Sequence, residues 1–161
     1  MSRKPIIVFE GIEGSGKTFH INQLSKYLKK NKIKFIKLRE PGGSINSEKL
    51  RKLILNNKSN FNTKTDLFLY CAARNENIEN IIKKNYGKKI ILIDRFVDST
   101  VAYQHYGMGI NLKLIKLINK FLLDNVKINF TFLNIVSPKN LKWRLSKRKK
   151  LDRYDKFDIN F

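Results

Sequence analysis

The 161-residue chain carries 34 Lys and Arg against 13 Asp and Glu, a formal charge of +21, with 42% hydrophobic residues and one cysteine. One compact domain with its own core is the expectation at this length, and eleven Phe, six Tyr and periodic Ile and Leu exclude a disordered polyelectrolyte. Cys71 has no second cysteine and no Cys/His partner set, which excludes an internal disulfide and a structural zinc site and points to a reducing compartment.

Ile6 to Glu10 is a short β-branched apolar run between Pro5 and Gly11, the pattern of a buried strand. It is too short for a signal-peptide core, and no stretch approaches the ~20 apolar residues of a membrane span, so a cytoplasmic protein without membrane contact is expected. From Thr18, Phe19, Ile21, Leu24, Tyr27 and Leu28 recur at helical spacing, and Phe35 to Leu38 reads as a second strand. Arg39-Glu40-Pro41-Gly42-Gly43 breaks the chain. Ser47 to Leu55 then reads as a helix with Leu50, Leu53 and Ile54 inward, and a further helix fits Thr65 to about Lys84.

The unit then repeats. Ile90 to Ile93 is a third strand ending in Asp94, followed by helical patterns at about Asp98 to Gln104 and at Leu112 to Leu123. Phe130 to Val136 supplies a fourth strand, and Ser137-Pro138 opens a last helix that carries Leu141, Trp143 and Leu145 into a basic run, Arg144 to Arg153. Strands alternating with helices imply an α/β fold, a doubly wound parallel sheet flanked by helices.

Of the 34 basic residues 26 are Lys, spread over nearly every segment, and Lys, Asn and Ile together make 64 of the 161 residues. That composition reads as coding bias and a solvated lysine surface, so specific nucleic-acid binding is not expected in spite of the charge. The eight arginines are more informative, because a guanidinium fork suits phosphate recognition.

Gly11-Ile12-Glu13-Gly14-Ser15-Gly16-Lys17-Thr18 matches G-x-x-x-x-G-K-[ST] directly after an apolar strand and at the opening of a helix. Glycines let backbone N–H groups turn around a phosphate, the helix N-terminus adds its positive end, Lys17 can bridge β- and γ-phosphates, and Thr18 can ligate Mg²⁺. Asp94, with Arg95 beside it, ends a buried strand, the position of the acidic residue that orients Mg²⁺, directly or through water. The residues thus reach a P-loop protein that binds a nucleotide with Mg²⁺ and leave the acceptor open.

Four blocks taken in order resemble thymidylate kinase: Phe9 to Thr18, Arg39 to Gly43, Ala72-Ala73-Arg74, and Asp94-Arg95-Phe96 running on to Ser99-Thr100-Val101-Ala102-Tyr103-Gln104. The resemblance implies a single P-loop nucleoside-monophosphate-kinase domain over 1–161 that phosphorylates dTMP to dTDP with ATP and Mg²⁺, as a homodimer packed through helices. It places Arg39 and Arg95 on the acceptor phosphate, Arg74 on a thymine carbonyl and Tyr70 on the base face, where the family usually has Phe. Ser99, Thr100 and Gln104 then line the thymine edge, Tyr103 crowds the site of a ribose 2′-hydroxyl, and Glu10 lies near the sugar 3′-hydroxyl or the metal water.

The phosphate loop has no arginine, so the resemblance is to the lid-arginine type, with a lid at about 144–155. Arg153 is the candidate catalytic arginine, ahead of Arg148, which is assigned to ATP, and Arg144. By the same resemblance the chain stops short of the family's last strand and helix. The competing readings are another deoxynucleoside or nucleoside-monophosphate kinase and an inactive, truncated nucleotide-binding protein.

Overall fold

The computed structural model describes residues 3–147 and 154. Four strands, β1 (Ile6–Glu10), β2 (Phe35–Arg39), β3 (Ile90–Asp94) and β4 (Phe130–Leu133), form one parallel sheet in the order β2-β3-β1-β4. The two central strands are the continuous apolar runs IIVFE and IILID, as strands covered on both faces must be. Side chains alternate across the sheet. Ile6, Val8, Ile91 and Ile93 therefore join one core with Leu38, Ile78, Ile82 and Phe96, while Phe9 and Leu92 join another with Ile21 and Leu28.

The helices are α1 (Lys17–Lys30), α2 (Ile45–Ile54), α3 (Thr63–Asn77), α4 (Lys83–Asn85), α5 (Val97–Thr100), α6 (Leu112–Leu123) and α7 (Pro138–Ser146). α1 covers the Phe9 and Leu92 face through Ile21 and Leu28, whereas Phe19 and Tyr27, both on the predicted stripe, are exposed. α2 starts before the expected Ser47, because Ser44 caps it by accepting from the Ser47 N–H. Ile54 is buried and Leu53 faces outward, contrary to expectation.

The helix expected over 65–84 is interrupted by a π-helical turn, Ile78–Ile82, and α5 passes into a second, Val101–Gly107. Apolar spacing cannot show either, since one inserted residue per turn leaves most inward positions inward. α6 matches its expected bounds and packs Ile115 against Leu67 and Cys71 of α3. β4 ends at Leu133, short of the expected Val136, and is exposed along its length. Ser137 caps α7 with Pro138 in its first turn. No described helix is long and apolar enough to cross a membrane.

The register sets Phe9 and Arg39 opposite Asp94, and Glu10 opposite Leu133. The strand order reverses between β1 and β3, so the loops after them open into the crevice where α/β sheets hold ligands.

Candidate active site

The loop after β1 turns on Gly11, Gly14 and Gly16 at φ 135°, 76° and 100°, a region that L side chains seldom adopt. Gly11 is also fixed by space, since a Cβ there would overlap the Asn134 carbonyl oxygen. Gly16 opens α1, and Lys17, 5% exposed, turns back so that Nζ donates to the carbonyls of Gly11 (2.9 Å) and Ile12 (3.0 Å). Burial, then the nearby Arg95 charge, lower its pKa to about 8. Thr18 donates its hydroxyl to Asp94 Oδ2 at 3.1 Å, joining the first residues of α1 to the end of β3.

This loop, with Arg39, Arg51, Asp94, Arg95 and Arg144, lines a wide cleft of about 1510 Å³ including its open mouth. Arg144 donates to the Gly14 carbonyl at 2.8 Å, so α7 is attached to the phosphate loop. Arg39 lies on the rim, paired with Glu48 at 3.2 Å.

A second cleft of about 590 Å³ lies beside the first, walled by Tyr70, Phe96, Tyr103 and Tyr154, with Arg74, Ser99, Thr100 and Gln104 along it. The Tyr154 ring stands edge-on to Tyr70 and Tyr103, 5.6 and 5.7 Å between centroids. Arg95 belongs to both clefts, together with Glu13, Glu40 and Arg51. It holds φ 66°, a strained value for a side-chain-bearing residue. Its guanidinium reaches Glu13 and Ser99, each at 3.3 Å, and lies over the Tyr103 ring. Burial works against its charge, but Tyr103, Glu13 and Glu10 outweigh burial and raise its pKa.

Arg74 is 2% exposed and tightly held. It donates to Glu40 (2.8 Å), Asn119 (2.7 Å), the Phe96 carbonyl (3.0 Å) and Thr100 (2.8 Å). Burial raises the pKa of Glu40, and the Arg74 guanidinium and Asn77 amide pull against it. Glu10 is buried, and its two oxygens accept from the N–H groups of Phe96 and Ser99 and from the Ser99 hydroxyl. In these bonds Glu10, Ser99 and Thr100 brace the start of α5 and the two cleft arginines.

The structure thus brings Lys17, Thr18, Asp94 and Arg95 into one cleft, and Tyr70, Arg74, Arg95, Ser99, Thr100, Tyr103 and Gln104 into its neighbour. Arg148 and Arg153 lie outside the described residues. Asp66, Asn119, Arg51 and the ring of Tyr154 were not singled out by the sequence reading. One signal was available: Asp66, Tyr70 and Arg74 recur every fourth residue, a single face of α3.

Among the described residues no cluster of three or more His, Cys, Asp or Glu could hold a metal. A hydroxyl and a carboxylate beside a phosphate loop nevertheless fit Mg²⁺, which keeps waters and takes substrate phosphates alongside one or two protein oxygens.

A family model described as thymidylate kinase matches residues 9–161. The thymidylate kinase of Thermosipho africanus is 40% identical over 93% of this chain and 75% of its own, and that of a Sulfurihydrogenibium species 41% identical over 96% and 76%. The crystal structure of thymidylate kinase from Ehrlichia chaffeensis superposes with a TM-score of 0.77 at 36% identity, covering 89% of this chain and 82% of that one.

Proposed function

The chain belongs to the thymidylate kinase family, and from that premise we propose how its two clefts phosphorylate dTMP to dTDP with ATP. The observation that carries the reading is the shared wall: Arg95 faces the phosphate-loop cleft and the aromatic cleft at once, where a migrating phosphoryl group would pass between them.

ATP lies with its β-phosphate inside the loop of Gly11, Ile12, Glu13, Gly14, Ser15, Gly16, Lys17 and Thr18, whose N–H groups and helix end face anionic oxygens. Lys17 leaves its two carbonyl partners for the β- and γ-oxygens. Thr18 and Asp94 would hold Mg²⁺, Asp94 directly or through water; the ion neutralises phosphate charge when bound. In the neighbouring cleft, dTMP stacks its base on Tyr70, sets its edge toward Arg74 and Gln104, and keeps its sugar against Tyr103. Its phosphate reaches Arg95 and, across the rim, Arg39.

An oxygen of that phosphate bonds to the γ-phosphorus in line with the breaking bond to the β,γ-bridging oxygen, and ADP leaves. Little covalent chemistry is asked of the protein beyond positioning and charge neutralisation. Family resemblance assigns Arg153 to the transferring group and Arg148 to ATP.

The test is ADP release from the purified chain with ATP, Mg²⁺ and dTMP, beside dUMP, AMP and thymidine. Turnover with dTMP well above the others is expected. Phosphorylation of AMP or thymidine with dTMP inert would refute the reading.

The lowered pKa of Lys17 sets a pH limb. In the nucleotide-free protein Lys17 is an ammonium below about pH 8 and a neutral amine above it. Because kcat/KM reports the free enzyme, kcat/KM for ATP should fall as pH rises through about 8. Bound phosphate favours the ammonium, so the limb in kcat at saturating ATP should lie higher. A profile for kcat/KM that stays flat to high pH would remove Lys17 from ATP capture.

We also propose a homodimer through α3 and α6. Phe68 on α3, and Leu114, Leu117 and Phe121 at helical spacing on α6, are large apolar side chains left exposed on two helices that pack together, the kind of surface that subunit contacts cover. Sedimentation should give twice the chain mass, and Leu117→Glu should shift the species toward monomer. A wild-type monomer at high concentration would contradict this.

A further inference from the structure

We infer that Asp66 sets the base specificity of the acceptor cleft by fixing which end of the Gln104 amide meets the nucleobase, an inference that rests on the dTMP reading above. The two ends of a glutamine amide have nearly the same shape, so their placement follows from their neighbours. Gln104 lines the cleft, is 1% exposed, and donates from Nε2 to Asp66 Oδ2 at 3.3 Å. Its Oε1 is buried and has no hydrogen-bond partner among the described residues.

Asp66 stands behind the cleft wall, itself 1% exposed, in the first turn of α3. There its Oδ2 serves as the acceptor for the Gln104 amide N–H. Tyr154 donates its hydroxyl to the same Oδ2. Rotating the amide would set Oε1 against Oδ2 with no proton between them. The observed orientation is therefore enforced, and the orphaned acceptor is the group a ligand must satisfy.

Thymine and uracil carry a proton on N3, flanked by carbonyl oxygens. Cytosine has a lone pair at N3 and an amine in place of O4. An acceptor facing N3 pairs with the imide N–H and repels the lone pair of cytosine N3. Arg74, in the same cleft, adds a cation that suits a carbonyl and disfavours an amine. Asp66 is thus a positioning residue that never touches substrate, and it selects imide bases through Gln104.

Asp66→Asn keeps the shape but lets the two amides pair either way round. The experiment measures kcat/KM, and Kd by calorimetry, for dTMP, dUMP and dCMP on both proteins, with thermal melts as controls. In the variant dTMP and dUMP should weaken together and dCMP improve, narrowing the dTMP-to-dCMP preference by about tenfold or more while the dTMP-to-dUMP ratio holds. Equal loss for all three with the preference intact would overturn the inference. If Asp66→Asn does not fold, Gln104→Leu carries the same test: the preference should narrow, and wild-type preference in that variant would overturn the inference. A wild-type protein that accepts dCMP as readily as dTMP would instead remove the dTMP reading itself, before any variant is made.

Discussion

Lys17→Ala should lower kcat for phosphoryl transfer from ATP to dTMP by about 10²- to 10³-fold or more, the scale set by losing one preorganised charge at the reacting group. Lys17 is buried at the base of the phosphate loop with its ammonium on two loop carbonyls, 2.9 and 3.0 Å away. Those carbonyls hold it in place without neutralising it, so it is ready to exchange them for phosphate oxygens. Among the described residues the arginines of the cleft are tied elsewhere: Arg95 to Glu13 and Ser99, Arg144 to the Gly14 carbonyl, Arg39 to Glu48 and Arg51 to the Pro41 carbonyl. The fold should survive, because the loop turns on its glycines and the deletion removes a buried cation. Single-turnover kinetics with a thermal melt would check both statements, and near wild-type transfer in a folded variant would refute the role.

Arg95→Ala should cost about a hundredfold or more in kcat/KM for dTMP while the KM for ATP moves much less. Arg95 is the side chain common to both clefts that carries a positive charge at the end of β3, and its strained backbone at φ 66° aims the guanidinium across the junction. Lysine at this position should recover little, since a point charge cannot form the two parallel bonds of a guanidinium to phosphate. Steady-state kinetics with each substrate varied in turn separates the two KM values. An equal rise in both, or none, would move Arg95 from the acceptor phosphate to a merely structural part.

The sheet was legible because its signal is local. Ile6–Glu10 and Ile90–Asp94 are unbroken apolar runs, and the Gly-rich loop between the first run and a helical stripe fixes both the chain path and the site. α6 was readable to its ends because Asn111 caps it and its apolar residues repeat strictly. What the sequence hid is geometry that apolar spacing does not encode. Ser44 as the cap of α2 competes with Ser47 in the same stretch, and only the hydrogen bond between them decides. The π turn at Val101–Gly107, which carries Tyr103 and Gln104, leaves no mark in periodicity.

The site followed the same rule. Phosphate-loop residues are contiguous and were read directly, and the acceptor residues came through block resemblance. Pairings such as Arg74 with Asn119, 45 residues apart, needed the folded chain. So did the finding that the Tyr154 ring stands edge-on to both Tyr70 and Tyr103.

The most direct test of the central claim follows the phosphoryl group itself. The purified chain is mixed with γ-labelled ATP, Mg²⁺ and dTMP, and the products are separated chromatographically. The two-cleft arrangement predicts label in the β-phosphate of dTDP, matched by an equal yield of ADP. Label appearing only as inorganic phosphate, or transferred to an added AMP in preference to dTMP, would contradict it.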